Sequence, residues 1–153
     1  MHENTRIGAH LAPAMISLLL AGLLLSGCGE DPMGPDNRLA LMALSECRHT
    51  QALQLTDNAI ARGNEQNVHR AWALKAAILR DLGDTKGAQA LYPKIAAAWE
   101  AAKARTLSDA RRERDIGLFL EVAHAERHTK GLPADCSKVP PPPAVTPQVP
   151  AGE

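Results

Sequence analysis

Residues 71–92, AWALKAAILRDLGDTKGAQALY, decide the fold of this chain. Apolar side chains recur there at helical spacing on both sides of the dipeptide Gly83-Asp84, at Ala71, Trp72, Leu79, Ala88 and Tyr92. Glycine ends helices because it adopts left-handed backbone angles, and aspartate caps the helix that follows. The stretch therefore predicts two helices joined by a tight turn.

The same periodicity continues in both directions and predicts an all-α domain over residues 38–131. We expect about five helices: three at about 38–47, 50–62 and 68–82, a fourth that is capped by Asp84 and runs past Trp99, and a fifth that starts after Thr106 or Ser108 and ends near residue 130. Pro93 falls inside the fourth helix. Because proline cannot donate a backbone hydrogen bond, we expect a kink or a break there.

Several helix ends and faces follow from local signals. Asp36 or Asn37 is the expected N-cap of the first helix, and Gly63 is the expected left-handed stop of the second. The first helix is apolar on most sides, which predicts that it is well buried. Its apolar residues are Leu39, Leu41, Met42 and Leu44. The third should bury a stripe made of Val68, Ala71, Trp72, Leu79 and Leu82.

Composition and charge narrow the class of protein. The chain has 153 residues, 17 basic and 17 acidic, and aromatic residues make up only 3%. A neutral chain has little attraction for a phosphate backbone, so we expect no nucleic-acid partner. With so few aromatic residues, the core must consist mostly of Leu, Ile and Ala, which suits packed helices.

The central hairpin resembles a tetratricopeptide repeat. Trp72, Leu79, Gly83-Asp84, Ala88 and Tyr92 occupy the positions where that repeat has aromatic, bulky, turn, small and aromatic residues. A weaker copy precedes it, with Ala52 standing 36 residues before Ala88. The resemblance implies antiparallel helical hairpins with a concave, peptide-binding face.

The likeness to the repeat is incomplete. Asp36, Lys75, Ile95 and Glu100 depart from its pattern. Lys75 would be a candidate contact on the concave face, although a solvated charge is the alternative. A generic bundle of helical hairpins satisfies the same periodicity, so this alternative stays open.

The N-terminal segment ends in Leu25-Ser26-Gly27-Cys28, which resembles the lipobox of bacterial lipoproteins. The resemblance implies that residues 1–27 are a lipoprotein signal peptide and that Cys28 is lipidated, with palmitate-like acyl chains. Gly29 rather than aspartate follows, which in lipoproteins points to the outer membrane. An uncleaved membrane anchor is the alternative, because residues 7–29 contain no charged side chain.

The segments flanking the helical domain have another composition. Residues 28–37 contain two prolines and two glycines, and they predict a flexible tether. Residues 132–153 are rich in proline, with four in succession at 140–143, and predict a disordered or polyproline tail. The tail is either a solvated end or an element that reaches a partner.

Lipidation at Cys28 would leave Cys47 and Cys136 as the remaining cysteines. The bacterial periplasm is oxidising, so two thiols there favour a disulfide over two free groups. We therefore predict a Cys47–Cys136 bridge, which would close a long loop around the whole helical domain.

No motif for catalysis is visible, and we expect no catalytic residue, no cofactor and no metal site. The one metal-like pattern is His124 and His128 at i and i+4, with Glu121 one turn earlier. Such spacing is common on solvated helices. A basic cluster at Arg111, Arg112 and Arg114 alternates with acidic residues, which favours local ion pairs over an anion-binding patch.

These observations predict a lipid-anchored adaptor rather than an enzyme. It would face the periplasm from the outer membrane and bind an envelope protein whose identity the sequence does not give. A pilotin-like chaperone of a secretion or pilus secretin is the alternative. A third class is an envelope metal-binding protein or enzyme. The membrane would be contacted through the lipid anchor.

Overall fold

The computed structural model describes residues 33–139, which contain six α-helices, a short 3₁₀ turn and no strand. The elements are α1 Pro35–Ser45, α2 His49–Arg62, α3 Glu65–Asp81, α4 Thr85–Ala90, α5 Tyr92–Lys103, α6 Asp109–Thr129 and the turn Cys136–Lys138. The all-α prediction is confirmed. The signal peptide, Cys28, the tether before residue 33 and the tail beyond residue 139 lie outside the described residues.

Helices α4 and α5 are two segments of the predicted fourth helix. The interruption falls at Leu91, and Pro93 lies in the first turn of α5. Proline is tolerated there because the first N–H groups of a helix have no partner within it. The predicted break is confirmed, and about five helices is the right count when the interrupted helix is taken as one.

Helix α3 forms the centre of the domain and packs against all five other helices. Its buried apolar side chains are mostly alanine, and they are Ala71, Ala73, Leu74, Ala76, Ala77 and Ile78. Small side chains let neighbouring helices approach closely from several directions.

The stripe predicted for this helix is partly wrong. Trp72 and Leu79 are only partly buried, and Leu82 is 49% exposed.

Three helices end with the same hydrogen-bonded turn, which places a residue with positive φ just after the helix. Gly83 (φ 79°) follows α3 and Gly131 (φ 69°) follows α6. Cys47 (φ 58°) follows α1, where Arg48 N–H donates to Ala43 O at 2.8 Å. These paired bonds satisfy carbonyls that the helices leave free.

Gly63 does not act as a left-handed stop. Its φ of −70° and ψ of 155° are extended, so that prediction is wrong. Only Gly63 and Asn64 separate α2 from α3, and the Asn64 side chain accepts a hydrogen bond from Asn67 N–H at 3.1 Å. The extended glycine carries the chain directly into this N-cap.

Helix α1 differs from the expectation at its start and on its surface. It begins at Pro35 after Gly34, and the buried Asn37 side chain donates to Met33 O and Asn67 O instead of capping. Leu39 and Met42 are each 49% exposed, so the expectation of burial on most sides is wrong. Only one face of α1 is covered, by α2, α3 and α6.

Candidate functional site

Cys47 and Cys136 lie at disulfide distance, with sulfur atoms 2.06 Å apart, and the two residues are separated by 89 in sequence number. Cys47 follows the end of α1, and Cys136 begins the short 3₁₀ turn. The Asp135 side chain caps that turn by accepting from Ser137 N–H at 2.9 Å. The bridge fastens the segment after α6 to the end of α1.

A buried ion pair lies beside the bridge. Arg127 on α6 is 0% exposed, and its guanidinium donates to both carboxylate oxygens of Asp81, at 2.6 and 3.1 Å. It also donates to Leu44 O at 2.7 Å and to Ala134 O at 2.8 Å. One cation therefore connects α3, α6, the end of α1 and the segment after α6.

Two histidines complete this Asp81 cluster, which we define as Asp81, Arg127, His49 and His124. Nε2 of His49 lies 2.7 Å from one Asp81 oxygen, and Nε2 of His124 lies 3.2 Å from the other. Burial alone would raise the pKa of Asp81, but hydrogen bonds from Arg127 and both histidines lower it to about 2. Asp81 is therefore ionised throughout the physiological range.

The cluster and the neighbouring Cys136 could hold a metal only if the disulfide were reduced. Within residues 33–139, the one group of three metal-capable side chains is His49, Asp81 and Cys136. The Cys136 sulfur is bonded to Cys47, and a disulfide sulfur is not the thiolate that binds metals. His128, which the sequence paired with His124, is not in this group. The arrangement instead supports structural cross-linking.

A separate cavity of about 500 Å³ opens between α3, α5 and the first half of α6. Its apolar lining includes Ile95, Trp99, Leu107 and Phe119, which are all at least nine-tenths buried. Five cationic side chains and one carboxylate, Asp115, also line it. Cavities of this size with an apolar interior and a few polar groups are typical ligand sites.

Trp99 lies in this cavity among cationic and aromatic groups. The His69 ring meets it edge-on at 5.4 Å between centroids. The guanidinium carbons of Arg105 and Arg111 lie 5.4 and 5.1 Å from its ring centroid. Such cation–π contacts hold both arginines at the cavity.

The other charged residues that the sequence singled out are used inside the fold. Lys75 pairs with Asp57 of α2 and lies beside the Trp72 ring, 5.9 Å from its centroid. Arg111 pairs with Asp115 at i+4 and Arg112 with Asp109 at i−3, as the alternating charges predicted. Arg111 and Arg112 also line the cavity, which the sequence did not indicate.

Sequence reasoning missed the Asp81–Arg127 pair. The sequence did indicate that Arg127 is buried, because the apolar face of α6 at Ile116, Phe119 and Ala123 continues at i+4 to this residue. No local signal named Asp81 as its partner, since the two residues are 46 positions apart.

Comparison of the chain with protein-family models, curated proteins and solved structures gives no match. Across residues 33–139, every helix is too short or too polar to cross a membrane. Residues 33–139 form an all-α domain with a disulfide beside a buried polar cluster and with a partly apolar cavity.

Proposed function

We propose that this protein is a lipid-anchored adaptor that faces the periplasm from the outer membrane and binds another envelope protein. The observation that carries the proposal is the distribution of exposed apolar side chains, which are concentrated on two helices. Of the five large apolar side chains exposed within residues 33–139, four lie on α1 and α6. They are Leu39, Met42, Leu118 and Val122, and we call them the apolar ridge.

The two helices of the apolar ridge are neighbours that run in the same direction. Met33, just before α1, lines the cavity together with Leu118 of α6. At the other end, Leu44 O accepts a hydrogen bond from Arg127. Contiguous exposed apolar patches mark protein-binding sites, and we propose that these four side chains form one such patch.

Features of the helical hairpins support the adaptor role. Ala52 and Ala88 are both 0% exposed, as a tetratricopeptide-like helix crossing requires. Gly83 has the left-handed angles of the turn between the two helices of such a unit. Repeats of this kind present surfaces to peptides rather than catalytic groups.

Site-specific photo-crosslinking tests the adaptor. The full chain would carry p-benzoylphenylalanine at Val122, with the exposed Ala101 of α5 as the matched control position. The adaptor role predicts one discrete adduct from Val122 in intact cells and none from Ala101. Equal adducts from both positions, or none from Val122, would contradict it. A Met42→Asp substitution should remove the Val122 adduct.

The lipid anchor has its own test. Replacing Cys28 with Ala removes the thiol that lipidation needs, while Cys47 and Cys136 remain for the bridge. The variant should stay as an uncleaved precursor, which denaturing gel electrophoresis separates from the shorter mature chain. Normal processing of Cys28→Ala would contradict the lipoprotein proposal without affecting the helical domain.

A further inference from the structure

The cavity next to Trp99 has an uneven charge balance. Five cationic side chains line it against the single carboxylate of Asp115. That carboxylate is occupied by the Arg111 guanidinium, whose Nε lies 2.9 and 3.0 Å from its two oxygens. Arg112 is paired as well, with Asp109 at 2.7 Å.

Two of the cations have no carboxylate partner among residues 33–139. Lys103 Nζ donates only to the neutral amide oxygen of Gln66, at 3.0 Å. Arg105 is exposed and lies against the Trp99 ring without an ion pair to any described residue. Lys103 is the last residue of α5 and Arg105 follows two residues later, so both positive charges lie at the same end of this helix in the cavity lining.

One residue of the apolar part of the cavity lining has an unsatisfied hydrogen-bond donor. Trp99 is 5% exposed, and its indole N–H is buried without a hydrogen-bond partner among the described residues. Burying such a group without an acceptor costs free energy. A ligand that carries an acceptor into the cavity would remove that cost.

We propose that this cavity binds a free monocarboxylic acid with an apolar chain, of the fatty-acid class. The chain lies against Ile95, Leu107 and Phe119, and the carboxylate lies between Lys103 and Arg105. A volume of about 500 Å³ encloses one ligand of drug-like size. A diacyl phospholipid is larger than that, which favours the single-chain acid.

Binding of an acid goes beyond the adaptor role and does not depend on it. Leu118 belongs both to the cavity lining and to the apolar ridge, whereas Val122 belongs to the ridge alone. A failed crosslink at Val122 would therefore leave the ligand proposal untouched, and the reverse also holds.

Fluorescence quenching tests the proposal on the full chain in phosphatidylcholine nanodiscs. The chain has two tryptophans, so Trp72→Phe leaves Trp99 as the only indole emitter. 12-Bromododecanoate should quench Trp99 at low concentration, and 12-bromododecanol should quench it much less. Equal quenching by acid and alcohol would overturn the proposal, as would no quenching by either.

Charge removal at the cavity edge supplies the matched comparison. Lys103→Gln with Arg105→Gln should weaken acid binding by roughly tenfold or more, because two charge-assisted contacts are lost. Lys86→Gln with Arg114→Gln changes two exposed cations outside the cavity and should leave binding unchanged. The same loss in both pairs would overturn the assignment.

A photoreactive label gives an independent measurement on the unmodified chain. A diazirine-bearing dodecanoic acid should label peptides from α5 and α6 around the cavity, with unlabelled dodecanoate competing. If a phosphatidylglycerol probe in the membrane labels these peptides and the free acid does not, the occupant is a membrane lipid and the proposal is wrong.

Discussion

Arg127 is the side chain on which most of the tertiary structure converges. Its guanidinium makes four hydrogen bonds at 2.6–3.1 Å, to Asp81, Leu44 O and Ala134 O. Leu44 O is one of the last carbonyls of α1, where the helix dipole favours a positive charge. A buried charge of this kind is tolerated only when its partners are all in place.

Arg127→Ala should destabilise the domain by about 3–5 kcal/mol, because it leaves the Asp81 carboxylate buried without its main partner. Urea unfolding measures the loss. The matched control is Lys130→Ala, which removes a partly exposed pair with Glu46 and should cost less than about 1 kcal/mol. Similar losses from both variants would show that Arg127 does not hold the cluster together.

Replacing both members of the pair separates the cost of an unpaired charge from the value of the pair. Asp81→Leu combined with Arg127→Met should recover part of the stability lost by Arg127→Ala, since apolar replacements leave no buried charge. A double variant less stable than the single one would point to the histidines or to the two backbone carbonyls as the dominant partners.

Asp81 also sets a pH dependence. Its pKa falls from 3.8 to about 2 on folding. A lowered folded-state pKa adds stability that is complete above the unfolded value and is lost as pH falls through the folded value. Stability should therefore decrease by roughly 2 kcal/mol from this group as pH drops from about 5 to below 2.

Denaturant unfolding across that pH range checks the prediction. Glu46 and Glu113 contribute in the same direction. The bond from Lys130 is the main cause that lowers the pKa of Glu46. Burial raises the pKa of Glu113, but Arg80, Tyr92 and Arg112 together lower it by more. Asp81→Asn should flatten the acid limb relative to the unmodified chain. An unchanged limb in Asp81→Asn would assign the acid sensitivity to the surface carboxylates.

Individual helices show where sequence patterns are reliable. The cap at Asp84 was predicted correctly, the break at Pro93 is one of the two outcomes expected there, and Ser108 is one of the two residues expected before the last helix. Each of these features depends on a residue and its nearest neighbours. Ser108 accepts from Arg111 N–H at 3.3 Å and Asp84 from Gly87 N–H at 2.8 Å. Local chemistry decides such features whatever packs around them.

Features that depend on neighbouring elements were not predictable in this way. The exposure of Leu39 and Met42 follows from which side of α1 its neighbours cover, and periodicity does not contain that information. Gly63 failed as a left-handed stop because the next helix begins two residues later. The Asp81 cluster and the cavity likewise join residues from distant parts of the chain.

The packing of α4 against α3 gives a prediction about a helix crossing. Ala88 is 0% exposed, so Ala88→Leu should destabilise the domain by about 1–3 kcal/mol through overpacking. Ala90→Leu in the same short helix is the control, since Ala90 is exposed and should change stability by less than about 0.5 kcal/mol. Thermal unfolding compares the two; equal midpoints would argue against a close helix crossing at Ala88.

At the scale of the whole domain, the first helix and the segment after the last helix are held together by several contacts. The end of α1 meets the segment after α6 through the Cys47–Cys136 bridge, through Arg127 and through the Lys130–Glu46 pair. The pairing of the cysteines could be predicted from the expected compartment, because only two remained. The adjacent buried ion pair could not, because nothing in the local sequence specifies it.

Reduction of the bridge should lower the stability of the whole domain without abolishing its fold. The cysteines are 89 positions apart, and the chain-entropy model assigns such a loop about 4–5 kcal/mol, an upper value for many real bridges. The segment after α6 stays attached through the bond from Arg127 to Ala134 O, so helical content should persist in mild reductant. Urea midpoints with and without reductant measure the loss. The double variant Cys47→Ala with Cys136→Ala should have the same urea midpoint as the reduced chain, and reductant should not change that midpoint. Identical midpoints in the oxidised and reduced chain would contradict a stabilising bridge.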